Sequence, residues 1–152
     1  MQIRTDDPHT PDVQGLILEH LQEMHATSPQ ESVHALGLDQ LRADGVTLWT
    51  VRQDDGELLG CGALKRLDSR HGEIKAMRTA VVARGRGVAG VLLEHLIGHA
   101  RDHGLRRLSL ETGTQEHFAP ARRLYARHGF AECPPFEDYT EDPHSVFMTL
   151  PL

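Results

Sequence analysis

The chain has 152 residues, enough for one domain with a sizeable core, and its 39% hydrophobic and 25% charged residues describe an ordinary globular protein. A formal charge of −6 argues against broad nucleic-acid binding, and no apolar run is long enough to span a bilayer. Two cysteines, Cys61 and Cys133, stand far apart without C-x-x-C spacing and point to free thiols in a reducing cytoplasm, while the start MQIRTDDPHT lacks the apolar segment of a signal peptide.

No repeat, low-complexity tract or linker divides the chain, so residues 1–152 read as a single domain. QIRT is a short first strand. From Pro11 to about His25, Val13, Leu16, Ile17, Leu21 and Met24 recur at helical spacing, with Pro11 at the first position and Thr10 as the cap. His20 and His25 are expected on the surface of this helix. SPQES breaks the chain, and a second short helix is expected through LDQLRAD, capped by Asp39 and ended before Gly45. Two apolar strands then flank QDDG, where Asp55-Gly56 is a strong hairpin signal. After the SRHG turn, GEIKAMRTAVV completes an antiparallel three-strand meander.

The segment GRGVAG, residues 85 to 90, opens a clear helix whose apolar face is Ala89, Leu92, Leu93, Leu96, Ile97 and Ala100, with Gly104 at its end. His95, His99 and His103 line one side of it. That spacing suits zinc, but no H-E-x-x-H or cysteine ligand set accompanies it, so they read as a solvated flank and no metal is expected. LRRLSLE is a further strand. A last helix covers roughly Phe118 to His128, with Pro120 in its first turn and Gly129 as its stop, and GFAEC and SVFMTLPL close the chain as strands.

GRGVAG admits two chemistries. Read literally it is G-x-G-x-x-G, and Glu111 stands where a dinucleotide-binding protein keeps its ribose ligand, which would make a nicotinamide-dependent oxidoreductase. Against this, the preceding strand carries Glu73, Lys75 and Arg78, whereas a Rossmann strand is apolar on both faces, and too little chain follows Glu111 for further βα units. The second chemistry keeps the physics and changes the ligand. Glycines let the backbone approach a diphosphate, the helix start supplies free N–H groups, and Arg84 and Arg86 add positive charge. Coenzyme A also carries a pyrophosphate.

Arg84-Gly85-Arg86-Gly87-Val88-Ala89 fits R/Q-x-x-G-x-G/A, and ARRLYARHGF, residues 121 to 130, fits a helix ending in L-Y-x-x-x-G-F. On these motifs and the element order, the chain resembles the GNAT acetyltransferase superfamily over nearly its whole length, and a small bacterial branch of it in particular. The resemblance implies a mixed α/β fold, with a mostly antiparallel sheet and a splayed parallel pair formed by the fourth and fifth strands. It implies an N-acetyltransferase that moves the acetyl group of acetyl-CoA to a primary amine, needing no metal, with a small-molecule acceptor and a possible homodimer through terminal strands. A non-catalytic acyl-CoA-binding module remains the alternative.

By the same resemblance, Arg84, Gly85, Arg86, Gly87, Val88, Ala89 and Gly90 hold the pyrophosphate. Backbone groups near Met77, Arg78 and Thr79 pair with the pantetheine arm, and Phe118 packs either along it or in the core. Tyr125 donates a proton to the coenzyme A sulfur. Glu73 is a candidate base, and Glu111 either accepts a proton or orients the amine. On the acceptor side stand Glu31, Ser32 and His34, together with Tyr139, Asp142 and His144 of the polar loop FEDYTEDPHSVF. The Arg78 side chain is a candidate for an acceptor carboxylate. Arg122 and Arg123 either reach a 3′-phosphate or form a solvated basic face.

Overall fold

Seven strands form one sheet, ordered β1-β2-β3-β4-β5-β7-β6, in a computed structural model that describes residues 1–152. The elements in chain order are β1 (Gln2–Thr5), α1 (Pro11–Thr27), β2 (Val46–Arg52), β3 (Leu58–Arg66), β4 (His71–Thr79), α2 (Val88–Asp102), β5 (Arg107–Gly113), α3 (Ala119–Arg127), β6 (Ala131–Glu132) and β7 (Ser145–Pro151). β4 and β5 are the one parallel pair, because the connection between them is the crossover helix α2; every other pairing is antiparallel.

The two helical layers bury different parts of the sequence. Val88, Leu92, Leu93, Leu96, Ile97 and Ala100 of α2 enter the larger core on one face of the sheet, joined by Tyr125 of α3. Val13, Leu16 and Ile17 of α1 cover the other face over Leu48, Cys61 and Ala63. Cys61 is buried, and desolvation pushes its thiol up to about 12; both cysteines are free. Arg52, 6% exposed, bonds Asp12 at 2.6 Å and Asp6 at 3.2 Å, fixing the start of α1 to the end of β2.

The parallel pairing runs only from His71 opposite Arg107 to Ile74 opposite Leu110. Past that point β4 continues with β3 and β5 continues with β7, so the two strands part. A bulge helps to turn β4 away. Cys61 pairs with Arg78 and Ala63 with Lys75, which leaves one extra residue on β4, and Ala76 takes a left-handed φ of 56°. The cleft so opened is where the candidate site lies.

Several local expectations need correction. Residues 38–44 make only one 3₁₀ turn, Gln40–Arg42, and Asp39 caps nothing. Fewer than two helical turns fit between Gly37 and Gly45, and Leu41 is the one fully buried residue there, with Leu38 only partly buried, so helix nucleation is not repaid by burial. Thr10 occupies the cap position of α1, but its hydroxyl donates to Asp6 instead of the helix. The histidine flank of α2 is not merely solvated: His95 and His99 present edges to Trp49, and His99 stacks on His103 at 3.9 Å. No helix is long and apolar enough to cross a membrane.

Candidate active site

The glycine loop and the first turn of α2 form a cradle of backbone donors. Gly85 and Gly87 both hold left-handed φ, 77° and 80°, which explains why glycine occupies them. A Cβ at either would meet nothing within 4 Å, so open space adjoins the loop. Gly87 caps α2 without any side-chain bond, and the first intrahelical bond is Val91 N–H to Gly87 O. The N–H groups of Val88, Ala89 and Gly90 are therefore free for an anion at the positive end of the helix dipole. Arg84 and Arg86 are exposed beside them, while the Val88 side chain is buried and anchors the turn.

From this cradle the cleft runs between the parted ends of β4 and β5. A cavity of about 120 Å³ lies there, floored by Ile74 to Met77 of β4 and Glu111 and Thr112 of β5, and walled by α1 and α3. Lys75 to Thr79 pair only with β3, so their backbone groups on the cleft side lack a strand partner. Phe118 and Tyr125 line the α3 side. Phe118 lies so close over Gly113 that a Cβ there would overlap its ring. Tyr125, 6% exposed, lines the cavity; burial pushes its phenol up to about 12, and its hydroxyl bonds no protein group.

Glu73 does not face solvent at the strand start. It is 2% exposed, and its Oε2 receives the Lys75 ammonium at 3.1 Å and the Tyr139 hydroxyl at 2.6 Å. Burial, then the Glu73 carboxylate, drives the Tyr139 phenol well above its ordinary value, so it remains a donor. Glu111 faces His34: Nδ1 stands 2.8 Å from each carboxylate oxygen, and Ser145 donates to Oε2 at 2.7 Å. The two acidic candidates thus border one cavity, each held by its own set of donors. Ser32 donates to Asp142 at 2.6 Å, tying the segment after α1 to the loop before β7.

Other expected site residues lie elsewhere. The Arg78 guanidinium is bonded to Glu19 and Glu23 of α1, so it is not free for an acceptor carboxylate. This pairing locks α1 to the end of β4. Arg122 donates to the carbonyls of Gly113 and Gln115 and staples the turn before α3, so it forms neither a phosphate ligand nor a solvated face. Glu31 is exposed and outside the cavity lining. His20, expected on the surface, lines the cavity; burial, followed by the charge of Arg78, lowers its imidazole to about 4. Its spacing from Leu16 and Met24 carried that signal, since residues four apart share a helix face. Lys75 was likewise legible as the next residue on the face of Glu73.

The dinucleotide reading of GRGVAG does not survive this geometry. One parallel pair in an antiparallel sheet is not a Rossmann core, and Glu111 is engaged by His34 and Ser145. Residues 14–130 match the model of the acetyltransferase (GNAT) family. The chain is 53% identical over 152 residues to the uncharacterized N-acetyltransferase YsnE of Bacillus subtilis, covering 100% of both chains. It is 51% identical over 150 residues to the uncharacterized N-acetyltransferase YedL of Escherichia coli, covering 99% of this chain and 94% of that one. In fold it is similar to a GNAT family acetyltransferase from Elizabethkingia anophelis solved with acetyl-CoA bound, with a TM-score of 0.69 at 21% identity, over 99% of this chain and 97% of that one. A parted parallel pair, an uncapped glycine-loop helix and these matches lead to one assignment: the chain belongs to the GNAT family of acetyltransferases.

Proposed function

We propose that the protein transfers the acetyl group of acetyl-CoA to a primary amine of a small molecule. The observation that carries this reading is Tyr125, a residue 6% exposed that lines the cavity between β4 and β5 and whose hydroxyl forms no hydrogen bond within the protein. A buried phenol ordinarily finds a polar partner. Here the partner is supplied by a ligand atom, the thioester sulfur.

The residues present fit coenzyme A. The glycine loop and the uncapped start of α2 suit its pyrophosphate, with Arg84 and Arg86 beside it. The unpartnered backbone edge at Met77, Arg78 and Thr79 suits an extended pantetheine arm, and Phe118 packs along it. When bound, acetyl-CoA supplies an activated acyl carbon. The chain's own tasks are then three: backbone N–H groups of β4 polarise the carbonyl, Tyr125 donates to the leaving sulfur, and an acceptor-side group removes a proton from the amine. Glu73 and Glu111 both border the space where that amine enters.

A cavity of about 120 Å³ favours a small acceptor or a slender amine-bearing arm. The free thiols fit a cytoplasmic location. Pairing of two copies through terminal strands belongs to the same reading, and sedimentation equilibrium tests it. The activity itself is tested by thiol release from acetyl-CoA across a panel of primary amines, with the acetylated product identified by mass. The reading expects amine-dependent release. Binding of acetyl-CoA without release for any amine would make the protein a binding module instead.

A further inference from the structure

Two carboxylates and two imidazoles border the cavity, and they are not equivalent. A base must offer a lone pair to the acceptor while the rest of its hydrogen bonds hold it in place. Oε2 of Glu73 already receives both Lys75 and Tyr139. His20 sits under desolvation and next to Arg78, which makes it a weak proton acceptor. His34 is differently placed. Its Nδ1 meets both oxygens of Glu111 at 2.8 Å, and an ionised carboxylate can only accept, so Nδ1 carries the hydrogen. Nε2 then bears the lone pair; it has no protein partner and is not buried.

The ring is also held on its other sides. Its edge packs on Tyr139 at a centroid distance of 5.0 Å, and Ser32 pins the same segment to Asp142. Glu111 is fixed in turn by the Ser145 hydroxyl. The His34 side chain is 32% exposed and that of Glu111 13%, so the imidazole reaches the open part of the cleft while the carboxylate behind it stays enclosed. A carboxylate that orients an imidazole in this way fixes its tautomer and stabilises the imidazolium once it forms.

We propose that His34 is the catalytic base of the acetyl transfer and that Glu111 is the residue positioning it, for an acceptor that arrives as an ammonium. This rests on the acetyltransferase reading above. His34 Nε2 takes one proton from the ammonium, and the freed nitrogen lone pair forms the C–N bond as the C–S bond breaks. Tyr125 supplies a proton to the departing sulfur and is replenished by the surplus proton of the new amide nitrogen. His34 then returns its proton to solvent. Of the three ammonium protons, one stays on the amide, one ends on sulfur and one leaves through His34. The charged and titratable groups around His34 are Glu111 from β5, Tyr139 and Asp142 from the loop before β7, Glu73 and Lys75 from β4, and His20 from α1. Three carboxylates against one ammonium favour entry of a cation.

The test combines a resting-state spectrum with kinetics. Long-range ¹⁵N–¹H correlation on the wild-type protein should show His34 protonated at Nδ1 and unprotonated at Nε2, and Glu111→Gln should abolish that preference. With the best amine of the panel, His34→Gln should lower kcat/KM by about 10²–10⁴-fold at neutral pH. Activity should recover at alkaline pH, where the amine loses its proton unaided, so the acid limb moves upward. Glu111→Gln should lower kcat/KM as well, by less than His34→Gln does, and acetyl-CoA affinity by calorimetry should stay within twofold in both variants. Turnover by His34→Gln with an unmoved limb would overturn the proposal and leave the acetyltransferase reading standing, as would loss confined to Glu73→Gln. Absence of wild-type turnover with every amine would overturn both.

Discussion

Replacing Tyr125 by phenylalanine removes one oxygen from a residue that is 6% exposed and bonds no protein group through that oxygen. No hydrogen bond is lost from the folded protein, so the stability change should stay below about 1 kcal/mol. For a chain of this size that is a shift in Tm of less than about 4 °C. The ring also keeps its contact with Phe130 in the core, at a centroid distance of 5.8 Å. Catalysis should respond very differently. A donor to a leaving group contributes about 10²–10⁴-fold, or roughly 3–5 kcal/mol of barrier. Burial pushes the phenol up to about 12, so it stays protonated throughout the working range and imposes no basic limb on the rate at neutral pH. The same enclosure raises the affinity of a departing thiolate for the proton. The assay is thiol release from acetyl-CoA at saturating amine, beside a thermal melt. A variant that melts like the wild type and loses at least 10²-fold in kcat supports the donor role. A variant within threefold of wild-type kcat would refute it, and so would a large loss of stability, which would make the hydroxyl a structural group.

Gly113→Ala places a Cβ against the ring of Phe118 and 2.6 Å from Gln115 Oε1. Overpacking should cost about 1–3 kcal/mol and push Phe118 into the cleft, weakening acetyl-CoA binding; unchanged melting and affinity would contradict the placement. Arg52→Met should destabilise by about 3 kcal/mol, the low end for breaking a buried pair, since Asp12 is half exposed. Burial disfavours the Asp6 carboxylate, but the Asp7 N–H, the Thr50 hydroxyl and Arg52 outweigh it, and the Arg52 hydrogen bond lowers Asp12, so both folded carboxyls titrate below their ordinary value. Their contribution is therefore present above about pH 4 and is lost as pH falls through the lowered values. Urea melts should show the gap between wild type and Arg52→Met closing below about pH 4; a gap constant down to pH 2 would contradict this origin.

Local patterns in the sequence carried far, because helical period, hairpin chemistry and the glycine loop are decided by neighbours in the chain. The apolar stripe of α2, the turn at Asp55-Gly56 and the end of α3 all lie as the residues suggest. The charged residues of β4 were the hardest to read. Glu73, Lys75 and Arg78 resemble a solvated strand, yet each is buried by partners 2 to 66 residues away in sequence. Burying charge demands such pairing, and the partner cannot be named from spacing alone. The same holds for His34 and Glu111, 77 residues apart. Both were nameable as candidates, but not as a pair. The left-handed Ala76 gave no signal, since a bulge at a residue other than glycine is fixed by the sheet around it.

Whether the loop before α2 holds a coenzyme A pyrophosphate is measured by calorimetry with acetyl-CoA, with NADH as the control ligand. Wild type is compared with Gly87→Ala and Gly87→Glu. Both variants force an L-residue into φ 80° at about 1–2 kcal/mol, and neither Cβ meets a neighbour within 4 Å. Only glutamate adds charge where the phosphates would sit. Micromolar binding by wild type, retained in weakened form by Gly87→Ala and abolished by Gly87→Glu in a folded protein, is the predicted result. Binding of NADH in preference to acetyl-CoA, or acetyl-CoA affinity that Gly87→Glu leaves intact, would rule out a pyrophosphate site at this loop.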